Sequence, residues 1–530
     1  MKTLVKNILL GLVVLLIIPI LYLGAQSVRL HWWVTPDEVQ VNELTSGQKA
    51  DDMRYLLDLT QQVSQADVVW DVAGMDNPLK QPEVWIERAR QTQSNAEFAD
   101  LVLQFLVHVG QTGHAFPAYD VNFNIITSLV SDAPKDAFYK MPYWGNLIGG
   151  LSWNAHANLD LVYRDGNYIL NKAVTLDGIK LPIGSVVEKV DNMVTEEFVL
   201  QQQYRAHLRY DPNQEKFFIF PLLTVDPGPD QPGWDITFRL PDGGEQTVLV
   251  KKLPGYVPHR PDESRAANIR CVALDGEVLY IKIATFYYEY ADQDAVDLRK
   301  CFASGSYQKV IFDVRGNNGG EIWSYMDNIM APLIRQPVGY ESTVAIKETF
   351  YKWYGWRLPL FSATNDNELS DPKTHITKVE ASSYLPYSDQ GWRVLRVMRE
   401  IQPSAEPFPF DGQAYVLTDN NALSAGDSFA AAMQQTGLAK IVGTNTVGWG
   451  QAYQAKMLYA LPNSGFLFFL DSELTFNSDG TLNNYVGVIP DVFLSPSSYP
   501  TPYPVSISLS SLLADEWVQW VLADTSKGLE

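Results

Sequence analysis

The stretch Asn-Ala-Leu-Ser-Ala-Gly-Asp-Ser-Phe-Ala-Ala-Ala-Met, residues 421–433, sets Ser424 at the mouth of a small-residue helix. Asp427 follows three residues later, the spacing of a capping box, so the serine reads first as a helix cap. It is preceded by "QAYVLTD", an apolar strand, and followed beyond the helix by "AKIVGT", another. A serine at such a strand-to-helix junction can expose its hydroxyl while the next amide, that of Ala425, faces the same point. Cap and nucleophile are both open readings of the stretch taken alone.

Working outward, residues 278–489 alternate strands and helices: "EVLYIKIATF", "DQDAVDLRKCFAS", "KVIFDV" and the elements around Ser424. That alternation predicts an α/β fold with a mostly parallel sheet, whose ligands bind beyond the carboxyl ends of the strands. A second loop at such an end is Asp313-Val-Arg315-Gly316-Asn-Asn-Gly319-Gly320. Its glycines allow a tight turn and can aim amides at an anion or a developing oxyanion, although the pattern is neither a Walker loop nor a dinucleotide fingerprint. Residues 345–410, with Trp353, Trp356, Trp392 and several prolines, interrupt the rhythm and read as an insertion, either packed core aromatics or a lid.

Upstream, residues 51–110 read as helical. The clearest helix begins at Ser94, with Glu97 as its capping partner, and ends at Gly110. It leads into "GQTGHAFP", which places His114 in a loop past a helix end. A serine nucleophile needs a base, and His114 is the histidine chosen for that role. Between these regions, residues 166–260 show short strands, one helix and a hairpin about Asp242-Gly243-Gly244. They form a small β-rich module bounded by proline-rich stretches.

The 530-residue chain has 46% hydrophobic and 12% aromatic residues, suited to packed domains. Its net charge of −21 without a basic stripe excludes nucleic-acid binding. Residues 1–29 differ: Lys2 and Lys6 precede an uncharged run from Ile8 to Ala25, closed by Arg29 and followed by His31-Trp32-Trp33. This predicts a signal-anchor in the cytoplasmic membrane with the body periplasmic or otherwise extracytoplasmic; a cleaved signal peptide is the alternative. Cys271 and Cys301 are either one disulfide or two buried thiols, and spacing does not choose. No HExxH or CxxC occurs, and neither metal nor organic cofactor is expected.

The ordered set "GQTGHAFP", the β-rich module, "KVIFDVRGNNGG" and "YVLTDNNALSAGDSFAAAMQQTGLAKIVGTNTVGWGQ" resembles the tail-specific (C-terminal processing) and tricorn-type serine peptidases. The resemblance covers most of residues 50–495. It implies a sheet of the crotonase-like ββα superhelix type over 265–500 and a PDZ-like domain over 166–260. An N-terminal helical region over 36–165 would end in the His114 loop, and a C-terminal tail helix would occupy 501–530. It further implies Ser424 as nucleophile, His114 as base, and Ala425 with Gly319 or Gly320 as oxyanion donors. The tail-specific branch carries a lysine base where this chain reads Gly448-Trp449-Gly450, so a Ser–Lys dyad would require Lys456 or another lysine to reach in. The tricorn branch has a serine where this chain has Gly113. Its orienting glutamate is replaced by Asn484 or Tyr485. The implied partner is a peptide or protein substrate, held by its C-terminus on the PDZ-like module. The alternative is a scaffold that binds such partners without cleaving them.

Overall fold

A computed structural model describes residues 41–119, 133–151, 155–157, 159–228, 230–254, 267–274, 276–354, 374–378, 391–450, 456–495 and 507–525. The expected anchor over residues 1–29, and Trp356, lie outside the described residues. Among the described residues no helix is long and apolar enough to cross a membrane.

The N-terminal region is helical, as its periodicity requires: α1 (Ser46–Val63), α2 (Ala66–Ala73), α3 (Pro82–Gln91), α4 (Asn95–Val109) and, further on, α5 (Lys135–Gly149). Ser94 caps α4 by accepting the Glu97 N–H at 3.2 Å, but Glu97 turns its carboxylate to the Gln93 N–H instead, so only half of the box forms. Phe98, Leu101, Val102, Phe105 and Leu106 of α4 are buried with Met53, Leu56 and Leu57 of α1. This core continues without a break into Val344, Ile346 and Val397 on one side and Tyr459, Phe466 and Phe468 on the other. The helices are therefore packed into the remainder of the protein, and their last turn delivers the His114 loop.

That loop runs into β1 (Phe116–Pro117), which pairs antiparallel with a strand some 350 residues later. The β-rich module follows: β2 (Leu161–Arg164), β3 (Asn167–Leu170), β4 (Val186–Val190), α6 (Thr195–Gln201), β5 (Gly233–Arg239) and β6 (Glu245–Lys251). Its sheet has the order β6-β5-β4-β3-β2, all neighbours antiparallel. The expected hairpin is present, with Gly243 at φ 88° supplying the left-handed turn residue between β5 and β6.

The third region contains β7 (Ile269–Leu274), β8 (Val278–Ile283), α7 (Ala291–Ala303), β9 (Lys309–Asp313), β10 (Val338–Lys347), β11 (Trp392–Ile401), β12 (Gln413–Thr418), α8 (Ala425–Gln435), β13 (Ala439–Gly443), β14 (Met457–Ala460), β15 (Leu467–Leu470), β16 (Glu473–Phe476), β17 (Val492–Phe493) and α9 (Glu516–Ala523). A six-stranded sheet runs β7-β8-β9-β12-β13-β17, and only the β7–β8 pairing is antiparallel. Val310, Phe312, Val416 and Ile441 on one of its faces are buried against α7 and α8.

Among the described residues the remaining sheets are antiparallel, so the fold is mixed α/β and not mostly parallel as expected. One of them, β11-β10-β16 with an edge strand over Thr374–Lys378, draws on residues expected to form an insertion. Lys347 pairs with Trp392, and Trp392 is buried: this part of 345–410 is a core sheet. Another, β1-β15-β14, brings the His114 loop beside β15. Cys271 on β7 and Cys301 on α7 are joined in a disulfide, with Cα atoms 6.0 Å apart.

Candidate active site

Ser424 does not cap its helix. It is the residue before α8, but its side chain makes no capping bond and its backbone is held at φ 53°, ψ −122°. A non-glycine residue in that region is strained, and the same sharp turn lifts the hydroxyl away from the helix. Asp427, the expected reciprocal partner, is wholly buried and bonded elsewhere. It accepts from Thr446 Oγ1, from Asn483 Nδ2 at 3.1 Å, from Val488 N at 3.1 Å and from Gly450 N at 3.2 Å. Burial pushes this carboxyl up to about 6, and the four donors offset part of that rise. The cap reading is corrected: Asp427 ties two loops together behind the serine, and a free hydroxyl results.

The free hydroxyl meets His114. Ser424 Oγ lies 3.2 Å from His114 Nε2 across 310 residues of sequence. On the other side of the ring Nδ1 lies 3.0 Å from Asp471 Oδ2, and the same oxygen accepts the His114 backbone N–H at 2.5 Å. A carboxylate acceptor at Nδ1 puts the ring proton there, which leaves the Nε2 lone pair facing the serine hydroxyl. Both side chains are largely enclosed, at 12% and 7% exposure, so this interaction is little screened by water.

Neither of the two residues expected to orient His114 meets its ring. Asn484 donates to Thr112 O at 2.9 Å and to Glu473 O at 3.2 Å, holding together the backbones on which His114 and Asp471 stand. Tyr485 lies tilted against Tyr210, ring centroids 4.6 Å apart. The orienting position belongs to Asp471, in the short link between β15 and β16. The cue was present in "FLFFLDSELTF", an apolar strand closed by an acid, but nothing in the sequence pairs it with a loop some 350 residues earlier.

Gly113 acquires a reason at the same point. A Cβ there would lie 2.4 Å from Asp471 Oδ2 and 2.8 Å from Gln65 Nε2, so any side chain would push the carboxylate out. The glycine makes room for this particular arrangement.

Of the three candidate oxyanion amides, Gly319 N–H is already engaged by Asn317 Oδ1 at 2.9 Å. Ala425 N–H and Gly320 N–H make no hydrogen bond among the described residues. Gly319, at φ 92°, packs so closely that a Cβ on it would lie 2.6 Å from Ser424 Cβ and 3.1 Å from Ala425 N. The glycine loop and the serine are thus in direct contact. The remainder of the loop is structural: Asp313, buried with Arg315, Lys282 and Tyr280, would be raised by burial, but the two cations hold it well below the usual carboxylate range. Arg315 also reaches Asp515, the residue that caps α9, at 2.8 Å.

Among the described residues no lysine takes the place of His114. The ammonium of Lys456 lies over the rings of Phe116 and Phe469, at 4.8 and 5.2 Å. Where the lysine-based branch would supply its base, Trp449 sets its indole edge-on to the His114 ring, centroids 5.8 Å apart. Among the described residues no cluster of side chains could hold a metal ion.

Residues 277–494 match the family model of Peptidase family S41. The chain therefore carries a domain of that family and is by class a serine-type peptidase. No curated protein matches the sequence. Among solved structures it is similar to mature CPAF, with a TM-score of 0.53 at 15% identity over 91% of this chain and 99% of that one. It is similar also to mature CPAF complexed with lactacystin, with a TM-score of 0.51 at 15% identity over 90% and 98%. The photosystem II D1 C-terminal processing protease aligns at 12% identity over 90% and 99%, with a TM-score of 0.40. At 15% identity the likeness to CPAF is one of fold.

Proposed function

We propose that the protein is a serine endopeptidase or C-terminal processing peptidase acting on proteins outside the cytoplasm. The observation that carries the chemistry is the chain of contacts Ser424 Oγ, His114 Nε2, His114 Nδ1, Asp471 Oδ2, set beside two unengaged amides. Ser424 attacks the scissile carbonyl carbon and its proton passes to His114 Nε2. Asp471 holds the ring in the accepting tautomer and stabilises the imidazolium. The amides of Ala425 and Gly320 donate to the developing oxyanion, with Gly319 as the wall between them and the nucleophile. His114 returns the proton to the departing amine, and water then releases the acyl group by the same steps in reverse. The contacts need neither metal nor organic cofactor.

Two features support the extracytoplasmic assignment: the uncharged run Ile8–Ala25 between cationic flanks, and the Cys271–Cys301 disulfide, which belongs to oxidising compartments. In this reading residues 1–29 anchor the chain in the cytoplasmic membrane. The antiparallel module with its single helix α6, residues 166–260, is read as the PDZ-like domain, receiving a substrate C-terminus by strand addition. Residues 265–500 are read as the superhelical peptidase domain. The alternative, a binding protein without activity, would follow from the absent lysine, the absent orienting glutamate and Gly113 in place of serine; with His114 against Ser424, and Asp471 against His114 in the space that Gly113 leaves, that alternative is not favoured. The test is reaction of the purified protein with a fluorophosphonate probe and a casein digest. Labelling confined to Ser424 and cleavage lost in Ser424→Ala support the proposal; cleavage that survives the substitution overturns it.

A further inference from the structure

Between β8 and α7 the chain reads Phe286-Tyr287-Tyr288-Glu289-Tyr290. Its first residue is fastened to the glycine pair: Phe286 N–H donates to Gly319 O at 2.8 Å, and Glu321 N–H donates to Phe286 O at 2.8 Å. The approach is so close that a Cβ on Gly320 would lie 2.2 Å from the Phe286 carbonyl carbon. Gly319 touches Ser424 on one side and Gly320 touches Phe286 on the other, so the segment is one layer removed from the reacting oxygen.

Immediately after that anchored residue the protein exposes three tyrosines. Tyr287 is 38%, Tyr288 64% and Tyr290 41% exposed. Trp323, on the short helix Ile322–Tyr325 that follows the glycines, stands edge-on to Tyr288 with centroids 5.7 Å apart. None of the three phenol hydroxyls makes a hydrogen bond among the described residues. Core packing leaves these rings unexplained: Phe286 is buried against Tyr325 and Phe429, whereas the next rings turn outward. The exposed Tyr288 ring set against the half-buried Trp323 ring is therefore read as a binding surface, and aromatic residues supply contact area at low entropic cost.

Continuity with the glycine loop selects the occupant. The geometry points to an aromatic shelf, Tyr288 with Trp323, that receives an apolar or aromatic side chain of the polypeptide substrate next to the scissile bond. Glu289, next to Tyr288 in the chain, is exposed, so the shelf disfavours acidic side chains at the same position. It rests on the serine-peptidase reading and adds a specificity to it.

The experiment uses the full chain and internally quenched peptides that differ only in one residue beside the cleaved bond: Phe, Leu, Ala or Asp. The parent protein is expected to favour Phe and Leu over Ala, and Ala over Asp. In Tyr288→Ala/Trp323→Ala the Phe-to-Ala preference in kcat/KM is expected to fall about tenfold, carried mainly by KM, because apolar pockets discriminate by uniform binding. Tyr288→Phe and Trp323→Phe are expected to retain the preference, which separates lost contact from lost folding. A Phe-to-Ala ratio that stays constant in the double variant overturns the shelf. A parent protein that cleaves nothing and leaves fluorophosphonate unreacted overturns the peptidase reading itself, a distinguishable failure.

Discussion

The Asp471 carboxylate occupies the volume in which a Gly113 side chain would stand: the two positions are separated by 2.4 Å from a would-be Cβ to Oδ2. The absence of a methyl group on one loop is therefore what lets an acid on another reach the histidine. Gly113→Ala is expected to leave the protein folded while displacing Asp471 or His114 by about an ångström. A misplacement of that size costs on the order of a hundredfold in kcat. Steady-state peptide hydrolysis with thermal melting as control checks this; a fall in melting temperature with kcat intact would show that the crowding is structural only.

Asp471→Asn keeps the volume but offers an amide where the histidine needs an acceptor. The ring is expected to adopt the other tautomer, with Nε2 protonated and unable to accept from Ser424. Loss of kcat on the order of a thousandfold or more is expected, with KM nearly unchanged. By contrast, Asn484→Ala breaks three backbone tethers, to Thr112 O, Glu473 O and Thr475 N, without touching the ring and is expected to cost far less in kcat than in stability.

The link between Arg315 and Asp515 makes the C-terminal helix part of the glycine loop's support. Asp515 both caps α9, accepting from Trp517 N and Val518 N, and pairs with a guanidinium that is 2% exposed. Asp515→Ala is expected to cost about 3 kcal/mol or more in urea unfolding, since a buried charge loses a partner and a helix loses its cap. Activity at saturating substrate should persist as long as the protein is folded, because Asp313 still holds Arg315.

A buried histidine sets an acid limit on stability. Burial pushes His108 down to about 4. The unfolded chain binds a proton at this site near pH 6.5 and the folded protein does not, so this contribution is present above that value and is lost as pH falls toward 4. It amounts to on the order of 3 kcal/mol across that window. Asp427, raised to about 6, acts in the opposite sense over the same range. Urea midpoints from pH 7 to pH 4 in the parent and in His108→Phe, which keeps the stacking on Trp70 but no longer titrates, separate the two: the variant should gain stability relative to the parent as pH falls.

The disulfide closes a stretch of 30 residues between β7 and α7. Its removal in Cys271→Ala/Cys301→Ala is expected to cost about 3 kcal/mol, chiefly through the unfolded chain, and the same loss should appear on adding a reductant to the parent protein. If reductant leaves the unfolding midpoint where it was, the cross-link contributes nothing to stability.

The sequence made local matters readable and left long-range ones closed. The strands around Ser424, the α4 helix and the β5–β6 hairpin follow from patterns within about 20 residues, and the structure places them as periodicity requires. The capping pattern at Ser424 and Asp427 misled because a strained turn and four remote donors for Asp427 outweigh a local bond. Resemblance alone points to residues 484 and 485 for the orienting group. Asp471 could not be found that way: its role depends on β1 pairing with β15, a register that no short window encodes. The same limit applies to residues 345–410, where Lys347 opposite Trp392 turns an apparent interruption into a sheet.

The partners of His114 lie 310 and 357 positions further along the chain. In the proposed mechanism the base is therefore made early and meets its acid only after residue 471 has appeared. A fragment truncated before residue 471 would hold the base without the carboxylate that sets its tautomer. Assembly of the site is thus tied to the folding together of segments from opposite parts of the chain.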